Sequence, residues 1–153
     1  MKLFLMALCL AAGTVTASLS AAEQGPSYAN EDIDWGVSPT KDMTTIYHAK
    51  TPTMVPGAKT VKTVELKALL AQSDLPLVFD VLNGEVSARV VITGAIFLGF
   101  DGGDGRVYGA EKARFAKMLE TITGGNRDKV LVFYCLNSEC WLSYNAANRA
   151  VGE

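Results

Sequence analysis

Cys135 and Cys140 bracket the four residues Leu136-Asn137-Ser138-Glu139 in the stretch KVLVFYCLNSECWLSYNAA. Two sulfurs at that spacing offer thiolate chemistry: nucleophilic attack, disulfide exchange or a structural cross-link. What surrounds them narrows the choice. Val130 to Tyr134 has the length and the β-branched and aromatic content of a buried strand, so Cys135 stands where a strand ends. From Trp141 onward, Trp141, Tyr144, Ala146, Ala147 and Ala150 recur at three- and four-residue intervals, which predicts a helix. The cysteine loop therefore joins a strand's carboxyl end to a helix's amino end. The first turn of a helix carries N–H groups without intrahelical partners and about half a positive charge, which favours an anion. That setting lowers a cysteine pKa from about 8.5 into the reactive range. A lone cysteine here would read as a small buried apolar residue, but two flanking one loop point to chemistry.

The elements that must position this loop follow from the rest of the chain. Thr60 to Val64 has the pattern of a short strand, and Glu65 to Ala71 is rich in helix formers, with Thr63 a suitable N-cap. Leu77 to Leu82 is an apolar run ended by Asn83-Gly84, and Ile92 to Leu98 repeats the strand signature around Gly94-Ala95. Asp80 is anomalous within its run, because a carboxylate among apolar residues must be solvated or paired. Ala110 to Thr123 is amphipathic, with Phe115, Met118, Leu119 and Ile122 on one face, and Gly124-Gly125 stops it. Alternation of strands and helices predicts an α/β domain with a mainly parallel central sheet. In such sheets ligands bind at the carboxyl ends of strands, and Cys135 is at one of them.

Phe100 to Gly109 contains Asp101-Gly-Gly-Asp-Gly105, which lacks both the Lys-Ser/Thr of a phosphate loop and the closing glutamate of a calcium loop. It reads as a surface turn.

The chain has 153 residues, enough for one core. Met1-Lys2, the apolar run Leu3 to Ala12 and the small residues Ser20-Ala21-Ala22 form the pattern of a cleaved signal peptide over 1–22. Export to the periplasm is the expectation, with no membrane association after cleavage. Cys9 would leave with the leader, and so would Lys2, leaving 13 basic against 16 acidic residues and a formal charge of −3. That balance argues against a nucleic-acid partner. Residues 23–59, with Pro26, Pro39, Pro52 and Pro56 and the acidic cluster Glu31-Asp32-Asp34 around Trp35, predict an extended arm rather than a second domain. His48, in this arm, reads as a solvated residue. Together with two cysteines it falls short of a four-ligand zinc site, so neither metal nor cofactor is expected.

Leu77 to Leu98 and VLVFYC with its loop and Ala-rich helix resemble the front and back halves of a rhodanese (sulfurtransferase) domain, over roughly 60–153. YCLNSECWLSYNAA, with DWGVSPT and YHAKTPTMVPGA in the arm, resembles an exported subgroup bearing a Cys-Trp motif, some associated with PQQ-dependent oxidation systems. The resemblance implies a three-layer α/β fold and sulfur transfer. Cys135 would take a sulfane sulfur from a donor as a persulfide and pass it to a thiol acceptor. It also implies a substrate cradle built by the backbone of Leu136, Asn137, Ser138, Glu139 and Trp141, and a structural role for Asp80.

Departures from the family sharpen this expectation. Leu136 and Cys140 stand where many active members carry arginines that hold anionic donors, and Leu82 replaces another arginine, which argues against thiosulfate. Trp141 stands where the related phosphatases need an arginine to clamp phosphate, which excludes phosphatase activity. Cys140 then reads as a resolving thiol. Gly152-Glu153 falls where the family continues into a further strand and helix, so the expected domain lacks its last strand and helix. Two other readings stay open: a thiol–disulfide redox protein, and a non-catalytic module whose loop docks a periplasmic oxidoreductase with Trp35 and Trp141 as contact area, although a tryptophan at position 141 more often packs beneath its helix.

Overall fold

The computed structural model describes residues 28, 30–40, 43, 48–82, 84, 90–99 and 110–152. The expected leader at 1–22 and the turn at 100–109 lie outside the described residues. The described chain is a mixed α/β structure with three helices and three strands, in the order α1 (Thr63–Leu69), β1 (Leu77–Asp80), β2 (Ile96–Phe97), α2 (Ala110–Thr123), β3 (Leu131–Tyr134) and α3 (Leu142–Val151).

The strands form one parallel sheet in the order β2-β1-β3. Leu77 to Asp80 pair in register with Leu131 to Tyr134, and Phe79 and Asp80 with Ile96 and Phe97. Strand alternation sends Phe79 and Phe133 to one face, where their rings stack with centroids 5.1 Å apart. Phe115 of α2 approaches Phe133 at 6.2 Å. Helix α3 packs on β3 and touches α2, and Trp141, Leu142, Tyr144 and Ala146 complete this core with Leu119. Each such large apolar side chain stabilises the fold by roughly 1.5–3 kcal/mol through burial.

Helix α2 spans the residues its amphipathic pattern predicts. It stops at Gly124 and Gly125, whose φ values of 64° and 78° are left-handed, and the Gly125 N–H closes the end on the Glu120 carbonyl.

Four expectations are corrected. The short strand at Thr60 to Val64 is absent: helix α1 already begins at Thr63, and none of its residues is buried. Lys62, not Thr63, is its N-cap. The Lys62 N–H donates to Glu65 at 2.8 Å, while the Thr63 N–H and hydroxyl both donate to Glu31, at 2.8 and 2.7 Å. The threonine hydroxyl thus serves a remote carboxylate instead of its own helix. The strand expected over Ile92 to Leu98 shrinks to Ile96–Phe97, because the Ala95 N–H turns back to the Ile92 carbonyl and Gly94 sits at φ 81°. The run Leu77 to Leu82 leaves the sheet early because the Leu82 N–H turns onto the Asp80 carboxylate.

The described residues of the expected arm lie as a belt along the domain. Glu31 and Asp32 tie it to the beginning of α1, through Glu31–Thr63 and an ion pair between Asp32 and Lys62. Further along, the belt bonds to α3 through Thr40 and Met43, runs beside the cysteine loop at His48 and Ala49, and buries Val55 in the main core. Gly57 then passes so close to α3 that an added Cβ would lie 2.6 Å from the Val151 side chain. Its φ of 83° is a second reason for glycine there.

Candidate functional site

The cysteine loop lies between β3 and α3, as its residue pattern predicts. Asn137 shapes it: its side-chain Oδ1 accepts the Glu139 N–H at 2.9 Å and its carbonyl accepts the Cys140 N–H at 3.1 Å. These two bonds form an Asx-type turn. The turn returns Cys140 beneath Cys135, with the Cα atoms 6.1 Å apart, and the two residues are joined in a disulfide. That separation sits inside the range of ordinary disulfides, roughly 4.4–6.8 Å.

The two sulfurs sit in unequal surroundings. Cys135 is half-buried, and Leu136 beside it is exposed. Cys140 is 1% exposed and belongs to the core, flanked by Trp141 and Leu142, which are equally buried. Trp141 caps α3 through its backbone, with no side-chain cap and no acidic residue in the helix's first turn. The Trp141 indole packs in the core beneath its helix, the commoner expectation for it, and so supplies no contact area to a partner. Trp35 is partly buried as well, with the Lys50 Nζ 5.1 Å from its ring centroid.

The backbone cradle expected over Leu136 to Trp141 is narrowed by the same turn. The amides of Glu139 and Cys140 are already engaged by Asn137, so they close the loop rather than face an anion. Leu136, Asn137 and Ser138 remain at the accessible side of the turn, with Leu136 and Asn137 exposed and Ser138 partly so.

Asp80 sits across from Tyr134, one residue before Cys135, and is 2% exposed. Its carboxylate accepts the Leu82 N–H at 3.0 Å and its carbonyl accepts the Leu98 N–H at 2.9 Å. The anomalous acid thus accepts a backbone N–H, and the residue's main chain ties the carboxyl end of β1 to that of β2. The Val81 N–H extends the ladder to the Tyr134 carbonyl, which fixes the strand end that presents Cys135.

His48 is exposed, yet its backbone forms an antiparallel bridge with Cys140. The neighbouring Ala49 N–H donates to the Glu139 carbonyl at 2.7 Å. The belt thus lies against the buried half of the cysteine loop.

Two residues that hold it there, Tyr144 and Asn145, were not singled out for this role by residue pattern. Asn145 is fully buried: its Oδ1 accepts the Met43 N–H at 2.9 Å and its Nδ2 donates to the Met43 carbonyl at 2.8 Å. One side chain therefore imitates the two ladder bonds of a neighbouring strand. The Tyr144 hydroxyl bonds Thr40 in the same double fashion. A signal existed in the spacing. Trp141, Asn145 and Arg149 recur every four residues, so two polar groups lie on a core-facing stripe and need buried partners.

Among the described residues no group of three or more His, Cys, Asp or Glu side chains could hold a metal ion. An open groove of about 1000 Å³ between α2, the turn at 125–127 and the end of α3 includes no residue of the cysteine loop. Compared with known proteins, the chain matches no family model, no curated protein and no solved structure.

Proposed function

We propose that the chain is a rhodanese-like sulfurtransferase of the periplasm, with Cys135 as persulfide-forming nucleophile and Cys140 as resolving thiol. The observation that carries this reading is the asymmetric pair itself: a half-buried Cys135 at a strand's carboxyl end, bonded to a buried Cys140 at the start of α3. The parallel sheet, with an aspartate ending its central strand, supports the rhodanese-like likeness over 60–152.

In the reduced protein the Cys135 thiolate attacks the sulfane sulfur of a donor. The donor's sulfur–sulfur bond breaks and its leaving group departs with the electron pair, leaving Cys135–S–S⁻. A thiol acceptor can then attack the outer sulfur, regenerating Cys135 as thiolate. In its absence the Cys140 thiolate attacks the Cys135 Sγ, and hydrosulfide leaves as the Cys135–Cys140 disulfide forms. Two thiols are oxidised and one sulfane sulfur is reduced to sulfide, so each such cycle needs a dithiol reductant to reset it. The exposed Leu136 near Cys135 suits a donor with an apolar portion better than a small dianion.

The test is mass spectrometry of the Cys140→Ser variant after incubation with a polysulfide donor. A gain of one sulfur on Cys135 is the expected result, and an unmodified Cys135 rejects sulfur transfer.

The bonded pair also favours a second reading, a thiol–disulfide carrier serving a periplasmic oxidoreductase. On that reading Cys135 acquires no sulfane sulfur, and the pair's potential lies above the roughly −300 mV that bounds ordinary structural disulfides.

A further inference from the structure

The same geometry raises a question about which sulfur exchanges. A disulfide can be attacked at either atom, and access and leaving-group stability decide between them. Here Cys140 is closed in from two sides. On one side the loop's own turn binds its N–H to Asn137. On the other, the belt pairs His48 with Cys140 and Ala49 with Glu139. Met43 and Ala49 also pack against the core cluster that contains Cys140.

Besides this pairing with the loop, the belt is held by α3. Asn145 bonds both backbone groups of Met43, and its own N–H makes a bond of the first helical turn to the Trp141 carbonyl, 3.0 Å away. Trp141 directly follows Cys140. Asn145 therefore couples the belt's position to the start of the helix that follows the buried cysteine.

We propose that Asn145 is a positioning residue for the cysteine pair: by holding Met43 of the belt against the core cluster that contains Cys140, it keeps Cys140 covered and leaves Cys135 the single point of attack. A dithiol reductant then attacks the Cys135 Sγ and the disulfide bond breaks. Cys140 leaves as a thiolate at the amino end of α3, where the helix dipole favours the charge. The reductant's second thiol next attacks its own sulfur in the mixed disulfide, releasing Cys135. This inference rests on the reading that Cys135 and Cys140 exchange.

The full chain, wild type and Asn145→Ala, is reduced and treated with limiting iodoacetamide, and the label is mapped by mass spectrometry. In the wild type, Cys135 should be labelled roughly tenfold faster than Cys140. In Asn145→Ala the ratio should fall toward one. The equilibrium with dithiothreitol should also shift toward the dithiol form by about tenfold, equivalent to about 30 mV. An unchanged ratio and an unchanged equilibrium in a folded Asn145→Ala protein overturn the proposal.

Should that variant fail to unfold cooperatively, Tyr144→Phe decides. It removes only the hydroxyl that holds Thr40 and should move both readouts in the same direction by less. No movement in either overturns the proposal.

Failure of the sulfur-transfer reading is separable. A wild-type-to-variant difference in labelling without persulfide on Cys135 retains the positioning role and rejects the transferase. Persulfide on Cys135 with identical labelling does the reverse.

Discussion

The belt and the sheet-and-helix unit are held together by different physics. In the sheet unit, β1, β3, α2 and α3 bury Phe79, Phe115, Leu119 and Leu142 against one another, and no single polar bond organises the whole. Among the described belt residues, Val55 is buried in the core with Met43 and Ala49 packed against it, and polar clamps fix position: Glu31 on Thr63, Tyr144 on Thr40 and Asn145 on Met43. Apolar burial is non-directional and spread over many contacts, so it tolerates small changes. A clamp fails when one atom is removed. The cysteine pair lies on the boundary, with Cys135 at the end of a sheet strand and Cys140 paired to the belt.

That contrast can be broken most severely from the sheet side. Phe79 is fully buried on the central strand and stacks on Phe133, so Phe79→Ala should destabilise the whole chain by about 3–5 kcal/mol. Urea unfolding measures it, and belt and sheet amides should lose hydrogen-exchange protection together.

Asn145→Ala should cost less, about 1–3 kcal/mol, because it removes the partners of two backbone groups. Its signature is selective: the Met43 and Ala49 amides should exchange faster while those of Leu77 to Asp80 stay protected.

Acid sharpens the comparison at the belt's base. Burial pushes the Glu31 pKa up, but the hydrogen bonds from the Thr63 N–H and hydroxyl and from the Tyr28 N–H together outweigh it, and the net shift is downward from 4.5. Glu65 is held below 4.5 by the Lys59 ammonium and the Lys62 N–H. Both carboxylates have folded pKa values below their unfolded ones. Their contribution is therefore fully present above about 4.5 and is lost as pH falls through the lowered values. The fluorescence of Trp35, in the belt, should report opening below that pH, and Glu31→Gln should flatten the profile while leaving the sheet's circular dichroism unchanged.

The smallest effect belongs to the surface. Lys117 and Glu120 pair at 2.7 Å on the exposed side of α2, and Lys117→Ala should leave the thermal midpoint within measurement error.

Legibility followed the same division. The bounds of α2 were readable because its apolar face and its Gly-Gly stop agree. The placement of Cys135 after a strand and before a helix was readable because the residue period changes across the loop. The strand expected at Thr60 to Val64 was misread because Thr63 bonds a carboxylate 32 positions earlier, and local propensity cannot anticipate a remote acceptor. The belt's attachment to α3 was hidden for the same reason, since Asn145 and Met43 are 102 residues apart.

Residue type and order were enough to specify an α/β chain with a parallel sheet, two cysteines on one strand-to-helix loop, and a carboxylate in need of a partner at Asp80. These properties are local: periodicity, turn chemistry and the cost of burying charge operate within a few residues. Only the tertiary structure decided that Cys135 and Cys140 are bonded, that Cys140 is the covered sulfur, and that the arm is a belt clamped by Tyr144 and Asn145. Burial depth and long-range hydrogen bonds depend on which distant segments meet, and that is settled only when the whole core packs.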